Sequence, residues 1–523
     1  MKQIFTNIVA LIMVLFSWSQ QDFHVFPKNH KTTPGSPEGN GSLTQPWDLQ
    51  TALSQNAKII NGGDTIYLHE GVYLGRFISL LSNTKRDSPI EVMPFKGEKV
   101  VLNGNVKAGG KAVLVVRGGG VTFRNFEITF KGKFPRRQGE EGFQIVSGVD
   151  HLSGMDCKFK GLRIHNVPGS GFGSWKRTGG TQIVNCKIYN NGYFSTKRGS
   201  GVGIYVQNES DKTRIIKNNF IFNNYYKGIQ VWSASSRPKF EYVKNVRLEN
   251  NVVFNNGLPG NKHVDNIIIA SDDRQGLNVP KNVVVRSNIL YHNIDFNDKS
   301  DGKLGPSLTI GYRHTSPAKN IVIDRNIIIG KSYPVRVLHA KTMKFTDNII
   351  AGGAVFIRGS NLTDLNAKNW TLSQNKYYTY RKAAIRIEGQ KNYSVDEFNS
   401  RFSPKSGSYW SSANEITLPA VLFMNKNSAN PERFDMVLFE KSGKDVTVNF
   451  TKESIKIGTP YRILDMADGS VIKEGVVNRS KSIVFPMGTR NGTEINFGVY
   501  EVEFSGNAVK RRGFIGRLLE RLF

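Results

Sequence analysis

The sequence predicts an all-β chain wound as a solenoid, with a smaller all-β domain behind it. Three observations carry that prediction. A short Asn-centred pattern recurs through the middle of the 523 residues. A run of alternating apolar residues follows each copy, as a half-buried strand requires. Asn and Gly, the latter at 52 residues, punctuate the runs where helical repeats would continue. With 39% hydrophobic and 22% charged residues, the chain can fill a large core and is no disordered polycation.

At the N-terminus, Met1-Lys2 leads into an apolar run from Ile4 to Trp18 and a small-x-small step, Ser17-Trp18-Ser19. This is the pattern of a signal peptide over residues 1–20. No second apolar run of about 18 residues follows. The expected chain is exported, without a transmembrane span, and is secreted, periplasmic or held at the outer cell surface.

The repeat reads VNCKIYNN (184–191), KNNFIFNN (217–224), ENNVVFNN (249–256), RSNILYHN (286–293), DRNIIIGK (324–331) and TDNIIAGG (346–353), with SQNKYY (373–378) a degenerate last copy. Its third position is Cys186, Asn219, Asn251, Asn288, Asn326, Asn348 and Asn375. A fixed short element with variable insertions means one coil per repeat, with loops of differing length. Asn suits the recurring turn because it tolerates left-handed backbone and its amide stacks on the next coil.

The strands that follow are GIYVQ (203–207), GIQVW (228–232), NIIIA (266–270), SLTIG (307–311), VRVLH (335–339), AVFIR (354–358) and AIRIE (384–388). With Ile204, Val206, Ile229, Val231, Leu308, Ile310, Val335 and Val337 inward, alternation turns two columns outward. One holds Tyr205, Gln230, Ile268, Thr309, Arg336, Phe356 and Arg386; the other holds Gln207, Trp232, Ala270, Gly311, Leu338, Arg358 and Glu388. Such a face reads as a saccharide-binding groove. The two cysteines, Cys157 and Cys186, fall out of register, so they are expected reduced and buried, and no Cys/His cluster suggests zinc.

These turns, together with PWDLQTAL (46–53), GDTIYLHEGVY (63–73) and PIEVMPFKGEKVVLNG (89–104), resemble the pectate-lyase-like superfamily. The resemblance implies a right-handed parallel β-helix over residues 21–400, its first turn closed by a helix within Trp47–Ala57. That superfamily includes lyases, hydrolases, epimerases and non-enzymatic adhesins, so the likeness speaks to fold more than to chemistry. No polygalacturonase set (NTD, DD, GHG, RIK) is intact. The style also resembles secreted Bacteroidetes proteins.

Residues 411–505 carry short alternating strands and predict an accessory β-sandwich. Residues 507–523 predict a basic amphipathic helix, with Phe514, Ile515, Leu518, Leu519 and Leu522 on one face of the 509–523 stretch. Docking on the protein surface is its first expectation and contact with a membrane surface its second.

Charge and export together select the partner. The net charge is +29, of which +23 lies in residues 101–400. A basic solenoid favours a polyanion, and export sets nucleic acid aside in favour of an acidic polysaccharide. A monomer is expected.

Three clusters follow equivalent strands: Ser271-Asp272-Asp273-Arg274, Tyr312-Arg313-His314, and Arg336 with His339 and Lys341. Stacked on successive coils, they suit β-elimination on a uronate. Arg313 or Arg336 would neutralise the carboxylate, His314 or His339 would take the C5 proton, and Tyr312 would be the acid or base partner. Asp272 and Asp273 are candidate calcium ligands. Trp175, Lys176, Tyr205, Gln207, Lys227, Gln230, Trp232 and Arg274 would bind substrate. A glycoside hydrolase using Asp265 with Asp272 or Asp273 is the alternative, with an epimerase on the same scaffold. A non-catalytic adhesin gripping through Trp175, Tyr205, Trp232, Lys176, Arg177, Lys197, Arg198 and Lys227 is the third reading.

Overall fold

The computed structural model describes residues 20–83, 88–233, 241–292, 305–427, 430, 432–487 and 497–504. The predicted signal peptide, up to residue 19, and the predicted C-terminal helix lie outside them.

Each coil contributes one short strand to each of three sheets, and each sheet has twelve strands. One coil runs from Gln182–Val184 in the first sheet, through Lys187–Tyr189 in the second, to Ile204–Val206 in the third, and then returns to the first at Arg214–Lys217. Pairing between coils is parallel, residue on residue: Ile188 on Ile221, Ile221 on Val253, Val253 on Leu290. The fold is a right-handed parallel β-helix. Inward side chains stack in aliphatic columns that run nearly the whole length.

Two residue types divide the work of the turn. The left-handed residue precedes the conserved position of the repeat: Asn185, Asn218, Asn250, Ser287, Arg325, Asp347 and Gln374 all have φ of 55–57° except Asn250 at 52°. The Asn that follows is buried and donates its amide to the next: Asn219 to Asn251 at 2.9 Å, Asn251 to Asn288 at 2.9 Å, Asn288 to Asn326 at 3.0 Å, and on to Asn348 and Asn375. The expectation had given both jobs to one Asn. Buried amides must be hydrogen-bonded, which is why the ladder position is not left-handed: its side chain faces in. Cys186 occupies the ladder position one coil earlier and takes Asn219 Oδ1 on its backbone N–H at 2.8 Å. Both cysteines are free and buried. Burial pushes their thiols up to about 12.

At the N-terminal end, Asp48 caps the five-residue helix Leu49–Leu53, which buries Leu49, Ala52 and Leu53 over the first coil. It is shorter than the Trp47–Ala57 stretch. At the other end, the capping-box helix Val395–Phe402 closes the core with Phe398 and Phe402. The second sheet continues past residue 400 to its last strand, Tyr409–Ser412, paired on Lys376–Thr379.

The C-terminal domain is an antiparallel sheet of five strands with a separate two-stranded sheet. It packs on the outer face of the second sheet. There the rings of Tyr189, Phe222, Phe254 and Tyr291 stack at 4.8–4.9 Å, and Phe497 of the domain extends the stack at 4.5 Å. Buried Lys187 reaches Asp435 at 2.6 Å and also pairs with Glu501, which Arg433 contacts at 2.9 Å. The domain thus occupies the second sheet and leaves the outer face of the third to solvent and loops. Among the described residues, no helix is long and apolar enough to cross a membrane.

Candidate functional site

The third sheet aligns one outward column along the axis. Its register is Val115, Asp150, Gly173, Tyr205, Gln230, Ile268, Thr309, Arg336, Phe356 and Arg386. From Tyr205 onward this is the column that alternation predicts; Asp150 and Gly173 extend it upstream.

Part of this groove is a cleft of about 480 Å³ lined by Arg198, Tyr225, Tyr226, Lys227, Lys262, His263, Asp265 and Arg336, with smaller neighbours. Asp265 lies at its floor. Local structure fixes it there: Asn266 is the last member of a second amide ladder, Asn191–Asn224–Asn256–Asn266, and also donates to Tyr291 O and Ser307 Oγ. With Asn266 anchored inward, Asp265 is turned toward the cleft. It accepts from Thr309 Oγ1, from Arg336 Nη2 at 2.9 Å, and pairs with Lys227 Nζ at 3.4 Å. Arg336 Nε donates to Thr309 Oγ1 at 3.0 Å. Burial opposes ionisation of Asp265, but Lys227 and Arg336 outweigh it and hold the carboxyl below the usual carboxylate value. The arrangement is a carboxylate that aligns two cations at the base of an open cleft. Arg336 Nη1 is uncommitted among the described residues.

Lys227 is also placed by its neighbours. Gly228 follows it where a Cβ would meet Asn266 O and Asn256 Nδ2. The ammonium lies 5.1 Å from the Tyr226 ring and 5.5 Å from the Trp232 ring, and Arg198 stacks on Tyr226 at 3.9 Å. Tyr312 follows across Trp232, ring centroids 5.1 Å apart.

The three predicted clusters reach the structure rearranged. Asp272 pairs with Arg313, whose guanidinium lies 4.8 Å from the Tyr312 ring. Asp273 is fully buried, capping its own turn by accepting from Gln275 N at 2.8 Å and Asn278 N at 2.5 Å. The two carboxylates therefore do not share a site, and the oxygen-rich donor set that calcium requires is not formed by them. The reason is local. Alternation holds only within the strand Ile267–Ser271, and beyond it the turn sends one Asp out and the next in. Among the described residues, no group of three or more His, Cys, Asp or Glu side chains is placed to hold a metal. Arg274 is exposed, away from these contacts.

Arg336 separates from His339 and Lys341. Arg336 belongs to the Asp265 cleft, whereas His339 is buried beside Ser360, 3.1 Å from its Oγ, with His314 at a ring distance of 6.2 Å. Burial, with Arg358 and His314 adding to it, lowers His339 to about 4, so it is a neutral imidazole at ordinary pH. His314 is exposed and Lys341 lies at the surface.

Upstream, Trp175 and Tyr205 form a tilted pair at 5.2 Å. Trp175 Nε1 donates to Asp150 Oδ1 at 3.2 Å. Burial raises the Asp150 carboxyl to about 6 against that hydrogen bond, and raises the Tyr205 hydroxyl to about 12 against its bond with Gln207. Fully buried Arg214 fixes this region from behind, donating to the carbonyls of Ser174 (3.1 Å) and Gln207. Lys176 is taken up by Tyr242 (3.0 Å) and Glu209 (3.5 Å). Gln230 sits on the column between Tyr205 and Ile268. Tyr226, His263, Thr309 and Asp150 were not among the sequence-level candidates, and Asp265 entered only as a hydrolase carboxylate.

No family profile matches the sequence, and no curated protein matches it. Among solved structures the chain is similar to an alginate lyase from Paenibacillus sp. str. FPU-7 (19% identity, 58% of this chain and 90% of that one, TM-score 0.38). It is similar to a rhamnogalacturonan lyase (14%, 76% and 88%, TM-score 0.46) and a GH136 lacto-N-biosidase from Eubacterium ramulus (12%, 78% and 70%, TM-score 0.44).

Proposed function

We propose that the protein is an enzyme that cleaves a uronate-containing polysaccharide by β-elimination, with the Asp265–Lys227–Arg336 cleft as its centre. The observation that carries this reading is the convergence of two cations on one buried carboxylate at the floor of an open cleft. Abstraction of the C5 proton of a uronate needs its carboxylate neutralised, and preorganised cations in a partly dehydrated site do that at no reorganisation cost. Arg336, with Nη1 uncommitted among the described residues, receives the carboxylate. Lys227 and Arg198 flank it, and Asp265 keeps the cations aligned. Tyr225, Tyr226 and His263 line the same cleft and are candidates there to take or return a proton. Tyr312 and His314 stand on the far side of Trp232 and bind the flanking sugars.

The hydrolase alternative loses support from the same geometry. Two carboxylates about 5–9.5 Å apart must flank the bond, one of them able to hold or take a proton. Asp265 is the one carboxylate among the described lining residues, and it is occupied by Lys227, Arg336 and Thr309. Calcium enters no step of this reading, since Arg336 and Lys227 supply the positive charge that it would bring.

The test is turnover on a panel of uronate polysaccharides, with and without a chelator, monitored by the ultraviolet absorbance of the unsaturated product. Absorbance growth that Arg336→Ala abolishes supports the reading. A new reducing end without absorbance indicates hydrolysis, and binding without either indicates an adhesin.

A further inference from the structure

The groove changes character along its length. At the cleft, the described lining residues offer four cations, Arg198, Lys227, Lys262 and Arg336, against the single carboxylate Asp265. Five rungs upstream, about 24 Å at the usual strand spacing, Asp150 stands on the same outward column as Thr309. Among the described residues no cation partners it, and its side-chain partner there is the indole N–H of Trp175. Between them Gly173 has no side chain, and a Cβ there would run into Asp150 Oδ1 and Trp175 Nε1. The Trp175 indole and the Asp150 carboxyl therefore close over Gly173, and Tyr205 stands beside them, so that a half-buried carboxyl and an aromatic pair share this stretch of the outward face. Lys176, next in sequence to Trp175, is held by Tyr242 and Glu209.

A uronate placed here would set its carboxylate against that of Asp150 in a half-buried site without a neutralising charge, a costly juxtaposition. A neutral pyranose meets no such cost. Its apolar C–H face can lie on an aromatic ring, and a hydroxyl can donate to Asp150, a hydrogen bond strengthened by the acceptor's charge. We infer that the Asp150–Trp175–Tyr205 cluster is a subsite for an uncharged sugar, so that the substrate is a mixed polysaccharide carrying neutral residues several units from the uronate that is cut. The subsite stands on its own contacts; the mixed-polymer substrate rests also on the uronate cleft proposed above.

The two parts can be tested separately by calorimetry on the full chain. The probes are neutral hexaoligosaccharides of glucose, xylose, mannose and galactose, and an oligouronate. Wild type should bind at least one neutral probe. Asp150→Ala and Trp175→Ala should each weaken that binding about tenfold or more, the loss expected for one hydrogen bond to a charged group or one stacking platform. Arg336→Ala should leave neutral binding unchanged while losing the oligouronate. Asp150→Lys should gain affinity for the oligouronate, an outcome that misfolding cannot imitate. The inference is overturned if no neutral probe binds, or if Asp150→Ala and Trp175→Ala bind as wild type does. Neutral binding sensitive to Asp150, together with no binding of oligouronate by wild type, keeps the subsite but overturns both the uronate cleft and the mixed polymer.

Discussion

Arg336 and Asp265 are read by different measurements, turnover for the first and stability for the second, which makes the cleft testable residue by residue. Arg336 is half-buried and directed into the cleft, so Arg336→Ala should reduce turnover by about 10²–10³, the usual cost of one preorganised donor, and should also lower the melting temperature, because it takes one of two cations from buried Asp265. Asp265→Asn removes the counter-charge of two cations and should destabilise the fold by about 3 kcal/mol, visible in a urea titration, as breaking a buried ion pair does. Asp150 gives a pH signature of its own. Its folded-state carboxyl is raised to about 6, so the stability it contributes is present below the unfolded value, about 4, and lost as pH rises through about 6. The neutral isostere Asp150→Asn should therefore be about 2–3 kcal/mol more stable than wild type near pH 7, with the advantage vanishing below about pH 4. Thermal melts at the two pH values check it.

The elements hold these residues in place through the amide ladders. Asn288 sits mid-ladder, donating to Leu248 O at 2.9 Å and to Asn326 Oδ1 at 3.0 Å, and accepting from Asn251 N and Nδ2 at 2.9 Å each. Asn288→Ala strands buried donors on Asn251 and should cost about 2–4 kcal/mol, measured by chemical denaturation; an aspartate there should cost no less. This level was well exposed in the sequence, because a period set by Asn219, Asn251, Asn288, Asn326, Asn348 and Asn375 survives loops of any length. The same register put Tyr205, Gln230, Thr309 and Arg336 in one outward line. What lay beyond a strand end was not legible. Asp272 and Asp273 are adjacent in sequence, yet one is an ion-pair partner and the other a buried turn cap. Asp265 precedes its strand, and its direction depends on Asn266 joining a ladder that begins 75 residues earlier, at Asn191. Asp150 belongs to a coil that precedes the Asn ladders, and a long loop separates its strand, Ser147–Ser153, from Glu127–Thr129 before it.

At the scale of the whole molecule, the parallel β-helix presents three faces, and the C-terminal domain occupies one. Its seat is the Tyr189–Phe222–Phe254–Tyr291 stack and the buried Lys187–Asp435–Glu501 cluster, so Lys187→Ala, which leaves two buried carboxylates facing each other, should loosen the domain and lower the melting temperature. The protein as a whole should be acid-sensitive. Burial lowers His151 and His292 to about 3 and His339 to about 4. Each stays neutral in the fold while its unfolded counterpart takes a proton near 6.5, so stability should fall as pH drops from about 6.5 through about 3. The basic character of residues 101–400 now has a local focus, the cleft where Arg198, Lys227, Lys262 and Arg336 surround Asp265. The most direct measurement is the ultraviolet absorbance of wild type and Arg336→Ala acting on uronate polysaccharides. Unsaturated product from wild type, reduced at least a hundredfold in the variant, is the predicted result. Turnover of such a polymer without unsaturated product, or with full activity in Arg336→Ala, would contradict it.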